Sequence, residues 1–477
     1  MVGIVSYGGY IPTLRMERSV IAKAWGRGAL KGERSVANND EDSVTMAVEA
    51  VLNCLKEKDR QAVDGLLFAT TTPVYREKMN AALIGTAVDL NREIATVDYA
   101  NSLRSGATAL SAAIDTVAAD SAQQILVTAA DTRSGYPKSD QEQLFGDGAG
   151  ALLIGKNDLV ATYEGRFSIS NEMMDVWRNS EDKYVKQWEA RFVTGQGYTA
   201  HIKEVVNGLL NKYKLSTKDI AKVIIPAPDP RSHFSLSKLL GFDGETQMQD
   251  PLLSKVGHCG TAQPFLMLAA ALETARPGQL ILMATYGDGA DAMLFKTTDK
   301  VNKQVNLRTI ETLLAEKLTF TSYARFLSYK EIIEAQPGEP FRLLPSATVS
   351  WRERSSSLRC HASRCKKCEL ITYPIQRICY NCSSKDEFEE IRISDLEGKV
   401  FTFTKDNIAG RSDDPVVIQT VVEMAGGVRF YGLMTDFDAS QIDIDMPVRL
   451  TFRRFYEGAG FQNYFWKLKP ILNGGDN

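Results

Sequence analysis

Seven cysteines and four histidines are the scarce reactive side chains of this chain, and their spacing is uneven. Cys365 and Cys368, then Cys379 and Cys382, form two C-x-x-C knuckles separated by residues 369–378. Each knuckle presents two thiolates on a tight turn, and the pair supplies the closed tetrahedral sulfur set that zinc prefers in structural sites. Disulfides are the competing use of four cysteines. No charged segment followed by an apolar core and a small-residue cleavage site opens the sequence, and no apolar run is long enough to span a bilayer. A reduced, cytoplasmic setting is therefore expected, where such motifs read as metal ligands. Cys360 and His361 stand just ahead of the first knuckle, but four spaced thiolates already complete the set. Cys54 falls on an amphipathic stretch and is read as core.

The elements that must position these residues follow from pattern. At 477 residues the chain is too long for one hydrophobic core, and 44% hydrophobic with 24% charged is ordinary for globular protein. A net charge of -3 and a pI near 6.0 give no global attraction for nucleic acid or anionic membrane. Through residue 298, apolar runs at 65–69, 124–128, 150–154, 222–225 and 279–283 alternate with amphipathic stretches. The latter are Ser43 to Lys56, Ser105 to Ala119, Tyr198 to Tyr213 and Pro264 to Ala275, and the alternation predicts an α/β architecture. Phe145-Gly-Asp-Gly-Ala-Gly-Ala-Leu-Leu-Ile154 and Tyr286-Gly-Asp-Gly-Ala-Asp-Ala-Met-Leu-Phe295 are near copies, each opening an apolar strand, which implies internal duplication. Their matching positions assign Asp147 and Asp288 to a structural turn.

Residues 299–345 read as a helical linker, with helices at Arg308 to Lys317 and Ser328 to Ala335 and a turn at Pro337 to Pro340. A zinc ribbon is expected over 346–394. Over 395–477, short alternating runs at 400–404, 416–422, 428–432, 448–452 and 464–468 predict a small all-β barrel of the OB type. Phe401, Phe403, Tyr431 and Phe452 lie at period-two positions that would fill its interior.

With these residues in view, positions 1–298 resemble the thiolase superfamily, and most closely the archaeal-type hydroxymethylglutaryl-CoA synthases. Tyr7 to Pro12, Ala24 to Gly26, Glu33 to Val36, Asp40 to Ala50, Ser237 to Phe242 and Ala275 to Gly278 carry the likeness. The C-terminal part resembles the rubredoxin-type zinc ribbons joined to an OB fold that accompany acyl-CoA thiolases, on Trp351 to Arg354, the knuckles and Tyr373-Pro374. The resemblance implies a duplicated, five-layered α/β fold, a homodimer, and a coenzyme A thioester as substrate. It also implies Claisen-type making or breaking of a carbon–carbon bond through a cysteine that carries the acyl group.

The chain departs from that pattern where the chemistry is expected. Within Asp98 to Ala109, setting Gly106 on the family glycine puts Leu103 at the nucleophile position, and leucine cannot attack a thioester. The neighbouring Ser102 could, given a base within reach and a one-residue shift of register; its plainer reading is a polar residue at the start of a helix. The acidic base falls near Thr71, and the histidine falls within Pro226 to Pro230, with His233 a few residues on. Arg104 matches a lysine of the synthase loop and could meet a coenzyme A phosphate, solvated charge being its plainer reading. Lys255 to Ala262 stands where synthases place an asparagine loop, and it resembles the Gly-His-x-x-Gly loop with which thiolases hold a developing enolate. His258 and Cys259 there could bind a thioester oxygen or act as base and nucleophile, although adjacent side chains point apart. The plainer reading of Cys259 is a buried small residue in a Gly-rich turn.

Three functions are compatible with these residues. The first is an acyltransferase of thiolase or condensing type; the second is a non-catalytic, zinc-containing subunit that channels acyl-CoA for a separate thiolase. The third is an OB-type nucleic-acid binder. Arg352, Arg354, Arg359, Arg364, Lys366, Lys367 and Arg377 would suit phosphate in any of them. The acidic stretch 436–445, the inward aromatics and the thiolase-like partner in the same chain weigh against nucleic acid.

Overall fold

The computed structural model describes residues 1–301, 308–334 and 345–472. Two compact units divide it. One holds Met1–Ala37, Asp42–Gly85 and Leu90–Tyr323; the other holds Asn38–Glu41, Thr86–Asp89 and Ala324–Asn477.

The first unit is built on nine strands: β1 (Gly3–Tyr10), β2 (Gly65–Thr70), β3 (Ala95–Ala100), β4 (Ile125–Asp131), β5 (Gly148–Gly155), β6 (Ala161–Ser170), β7 (Ile220–Ile224), β8 (Leu280–Tyr286) and β9 (Gly289–Thr297). Their order is β7-β8-β9-β6-β1-β5-β4-β2-β3. Each half repeats one plan: β1-β5-β4-β2-β3 in the first and β6-β9-β8-β7 in the second. The β3 position of the second half shrinks to a single parallel bridge between Val223 and Met248. The two Gly-Asp-Gly turns open β5 and β9, as duplication requires.

Period-two alternation divides the strands between two cores. Ile281 and Met283 of β8 enter one cluster, whereas Leu282 and Ala284 enter the other. Helices α2 (Ser105–Ala118) and α5 (Gln263–Thr274) lie in the first cluster, and α5 packs against β1 and β5 of one half and β7 and β8 of the other. These two helices therefore form a middle layer. Helix α1 (Ser43–Cys54) covers β1, β4 and β5 on the outside, and α3 (Ala200–Tyr213) covers β6, β8 and β9. Five layers result. Asp42 caps α1 by accepting from the Thr45 amide, and the Thr45 hydroxyl answers the Asp42 amide, a reciprocal cap worth about 1 kcal/mol. Helix α4 (Pro230–Leu240) starts at Asp229, which accepts from the Ser232 amide at 2.9 Å and leaves Pro230 in the first turn, where no amide is missed.

The second unit carries a three-stranded sheet of β10 (His361–Cys365), β11 (Ile371–Thr372) and β12 (Phe388–Arg392), then β13 (Glu397–Asp406), β14 (Val417–Met424), β15 (Arg429–Leu433), β16 (Pro447–Gly458) and β17 (Phe461–Pro470). The last five run in the order β15-β14-β13-β16-β17, and a parallel bridge from Met434 to Leu468 joins the two ends. Val400, Ile418, Val422, Phe430, Phe452, Trp466 and Leu468 are fully buried. The expected inward set of aromatics is thus corrected: Phe452 is inside, but Phe401 and Tyr431 are 46% and 60% exposed. Val400 and Phe430 hold the inward phase, and a bulge between Val400 and Thr402 leaves Phe401 outside under the Arg429 guanidinium. The same unit buries an ionic cluster in which Arg453 pairs with Asp40 at 3.1 Å, Glu41 at 2.9 Å and Asp436 at 2.7 Å, while Lys467 reaches Asp40 and Lys469 reaches Asp436.

Of the expected linker helices, the first is found at Ile310–Ala315. The second lies earlier than expected, at Tyr323–Tyr329, because Phe326, Ser328 and Tyr329 are its buried residues and Glu331 turns left-handed (φ 55°) beyond them. The turn at Pro337 to Pro340 and the end of that helix at Ala335 lie outside the described residues.

Candidate active site and candidate metal centre

Ligands in open α/β sheets gather beyond the carboxyl ends of the parallel strands, and here the loop leaving β2 and the end of β4 meet the segment 257–262. Asp131, the last residue of β4, is fully buried and ties them together. Its Oδ1 accepts from Thr71 N at 2.7 Å and from the hydroxyls of Thr70, Thr71 and Thr72 at 3.0 Å. Its Oδ2 accepts from Thr261 N at 2.8 Å and Thr261 Oγ1 at 3.0 Å. Gly106, at the start of α2, lies against the Thr261 carbonyl, where an added Cβ would stand 3.1 Å away. Sequence reasoning passed over Asp131. A lone carboxylate ending a buried apolar strand was the available signal, since burying a charge demands partners.

Thr71, near which the acidic base was expected, is one of these partners: both its amide and its hydroxyl donate to Asp131. His258 is buried, and the Gly260 amide donates to its Nδ1 at 3.1 Å. The ring therefore carries its proton on Nε2. Burial, reinforced by the Arg133 charge, lowers its pKa to about 3, so it is a neutral hydrogen-bond donor at physiological pH. Cys259 is fully buried, with its amide donating to Gln263 Oε1 at 2.7 Å. Burial and then Asp147 push its thiol far above the ordinary range, which withholds the thiolate. No imidazole occupies 226–230, where Asp229 serves as the cap of α4. His233 sits in the first turn of that helix with Nε2 buried and unpartnered, and burial lowers its pKa.

The nucleophile loop sits elsewhere on the same rim. Asn101 adopts left-handed backbone (φ 74°) as the chain leaves β3. Ser102, Leu103 and Arg104 follow, half-buried, against the Gly287 turn. Ser102 Oγ lies 3.5 Å from the Gly287 carbonyl oxygen. The Arg104 guanidinium donates to the Ile169 carbonyl at 2.9 Å and stands 3.7 Å from Asp291, so it is engaged by the protein itself.

In the second unit the four knuckle cysteines come together. Cys365 and Cys382 sulfurs are 3.6 Å apart, Cys368 and Cys379 sulfurs 3.5 Å, and all four lie within 4.8 Å of one another. Sulfurs about 2.3 Å from a tetrahedral zinc are roughly 3.8 Å apart, so this donor set fits that ion. Glu369 and Ser383, each directly after its knuckle, take matching left-handed backbone (φ 60° and 59°). Cys360 is buried outside the cluster, and His361 is held by Asp89 at 2.9 Å and Glu390 at 3.0 Å. Five of the seven basic ribbon residues have carboxylate partners: Arg352 with Glu353, Arg359 with Asp89, Arg364 with Glu389, Lys367 with Glu387 and Arg377 with Asp386.

A duplicated five-layered fold with its loops gathered in this way defines a condensing-enzyme scaffold, and residues 97–170 match the model of the 3-oxoacyl-[acyl-carrier-protein] synthase III family. Hydroxymethylglutaryl-CoA synthases of Caldivirga maquilingensis and Methanopyrus kandleri are 31% and 30% identical to the chain, over 70% and 69% of its length and 98% and 97% of theirs. The chain belongs to the hydroxymethylglutaryl-CoA synthase family. Among solved structures, MvaS in complex with 3-hydroxy-3-methylglutaryl coenzyme A superposes with a TM-score of 0.64 at 19% identity, covering 72% of this chain and 94% of that one. Nearly the whole of each relative is thus matched by about seven tenths of this chain. Among the described residues, no helix is long and apolar enough to cross a membrane.

Proposed function

We propose that this protein makes or breaks a carbon–carbon bond in an acyl-CoA, with the thioester-derived oxyanion held by His258. The observation that carries this reading is the Gly260 amide on Nδ1, which fixes the tautomer with the proton on Nε2, a donor. A neutral imidazole stabilises a developing enolate by hydrogen bonding and does not compete for its proton. Family membership supports the substrate class, and the homodimer expected of the scaffold belongs to the same reading. In the second unit, we assign Cys365, Cys368, Cys379 and Cys382 as ligands of a structural zinc ion, holding a ribbon over 346–394 ahead of the barrel at 395–477. The zinc would fix the knuckles; no reacting group is routed through it.

Leu103 favours a second reading, in which the chain binds acyl-CoA for a separate thiolase subunit. Turnover separates the two. Purified chain is incubated with acetyl-CoA and acetoacetyl-CoA, and released thiol and 3-hydroxyacyl-CoA are measured. On the first reading the chain turns over alone, and His258→Ala lowers kcat by about 10²–10³, the usual cost of losing one oxyanion donor. Turnover that requires a copurifying partner and is indifferent to His258→Ala supports the accessory role.

A further inference from the structure

A buried charge normally demands a partner, and Arg133 lacks one. It follows the Asp131 clamp by two residues and is 5% exposed, so only a trace of its surface is open to solvent. Among the described residues its guanidinium makes no hydrogen bond and no ion pair; it rests on the face of the Phe145 ring, 4.4 Å from the centroid. By contrast, Arg34 donates to the Glu142 carbonyl, Arg104 to that of Ile169 and Arg178 to that of Thr71. Asp131 does not supply the missing partner, because Thr70, Thr71, Thr72 and Thr261 already occupy both its oxygens. Burial pulls the Arg133 pKa down to about 10, with Asp131 opposing and Arg178 assisting, so the group is charged at neutral pH. Phe145, on which it rests, pairs with His258 in a parallel bridge: the His258 amide donates to the Leu144 carbonyl at 2.7 Å, and the Gly146 amide to the His258 carbonyl at 3.2 Å. The Arg133 charge in turn lowers the His258 pKa. An unengaged cation thus stands next to the residue read above as the oxyanion donor.

We propose that Arg133 is a specificity-determining residue that receives a carboxylate carried on the acyl group of the substrate, so that this chain prefers dicarboxylic acyl-CoA thioesters to alkyl ones. This rests on the acyl-CoA reading above and names its substrate class. The planar guanidinium fork matches a carboxylate bidentately, and such a pair satisfies a charge that the protein itself leaves unmatched. A neutral acyl chain leaves it unmatched still. The phosphates of coenzyme A offer similar anionic oxygens. The guanidinium, however, lies against the residue bridged to His258, and if His258 holds the thioester oxygen, the acyl group rather than the nucleotide stands there.

The test is calorimetric titration of the full chain with malonyl-, succinyl- and glutaryl-CoA, each against its alkyl match, propionyl-, butyryl- and valeryl-CoA. The expected result is that at least one dicarboxylic thioester binds about 10- to 100-fold more tightly than its match, the usual worth of a hydrogen bond to a charged group. Arg133→Met, whose side chain still packs on Phe145, abolishes that preference, and Arg133→Lys, which keeps the charge without the fork, retains part of it. The corresponding thioesters of pantetheine, which carries no phosphate, show the same preference. Equal wild-type affinities within every pair, or a preference that survives Arg133→Met, overturn the proposal and leave the acyl-CoA reading standing. So does an Arg133→Met variant that weakens all the coenzyme A thioesters alike and none of the pantetheine ones, since the guanidinium then meets a phosphate. Absence of binding by wild-type chain to any of these thioesters overturns the proposal and the acyl-CoA reading together.

Discussion

Replacing Asp131 by asparagine probes whether one buried carboxylate holds the loops of the site. An amide keeps a single acceptor oxygen. Turned one way, its NH₂ faces the Thr261 amide and hydroxyl, now 2.8 and 3.0 Å from Oδ2. Turned the other way, it faces all four donors of Thr70, Thr71 and Thr72. The first orientation is milder. Thr261 Oγ1 still has the Ala69 carbonyl at 3.3 Å, but the Thr261 amide is stranded, which costs about 1–3 kcal/mol. The remaining bonds become neutral and lose roughly half their strength. The sum is about 3–4 kcal/mol, concentrated in the loops. Hydrogen exchange followed by mass spectrometry on peptides spanning 70–73 and 258–262 reads it directly. The expected change is about 100- to 1,000-fold faster exchange, since each 1.4 kcal/mol is a factor of ten, together with a lower melting temperature. Wild-type exchange in both peptides would refute the clamp.

Two further predictions concern the second unit. A strong chelator, or any single cysteine-to-serine change at 365, 368, 379 or 382, removes one zinc per chain by atomic absorption and lowers the unit's melting temperature; a chain that binds no zinc when refolded with it sinks the assignment. His361 gives the unit a pH dependence. Burial opposes its charge, but the hydrogen bonds it donates to Asp89 and Glu390 outweigh burial and raise its pKa above the ordinary 6.5. The folded state thus binds this proton more tightly, so the stabilisation is full below pH 6.5 and is lost as pH rises through the raised value. Asp89, held down to about 2, stays charged throughout that window. Thermal melts across it should slope downward with pH, and His361→Gln should remove that slope.

The strands and helices were legible in the sequence because their burial is periodic. Ile281, Leu282 and Met283 alternate between two cores, and β13 to β17 overlap the five runs expected of them. The knuckles were legible because their ligands are local. Phase and tertiary partnership were not. Phe401 and Val400 differ by one residue, and a bulge decides which faces inward. Asp131 finds its donors 59 to 61 residues upstream and 130 downstream, a convergence that no local pattern encodes. Asp147 and Asp288 share a motif, and only tertiary surroundings separate them: Asp147 is buried and accepts from the Ala37 amide, whereas Asp288 is exposed.

That separation bears on where a proton can go. Thr71 is bound to Asp131 through both its amide and its hydroxyl, so its position is part of a structural clamp, and a carboxylate substituted there would meet the Asp131 charge. His258 has a pKa near 3 and holds almost no proton-accepting capacity to exchange at neutral pH, because its Nδ1 is occupied by the Gly260 amide. Cys259 is sealed and protonated. Asp131 itself is saturated by donors on both oxygens. Each of these four groups is therefore assigned to holding or to packing. Asp288, exposed on its turn, is left outside this set of holding and packing roles.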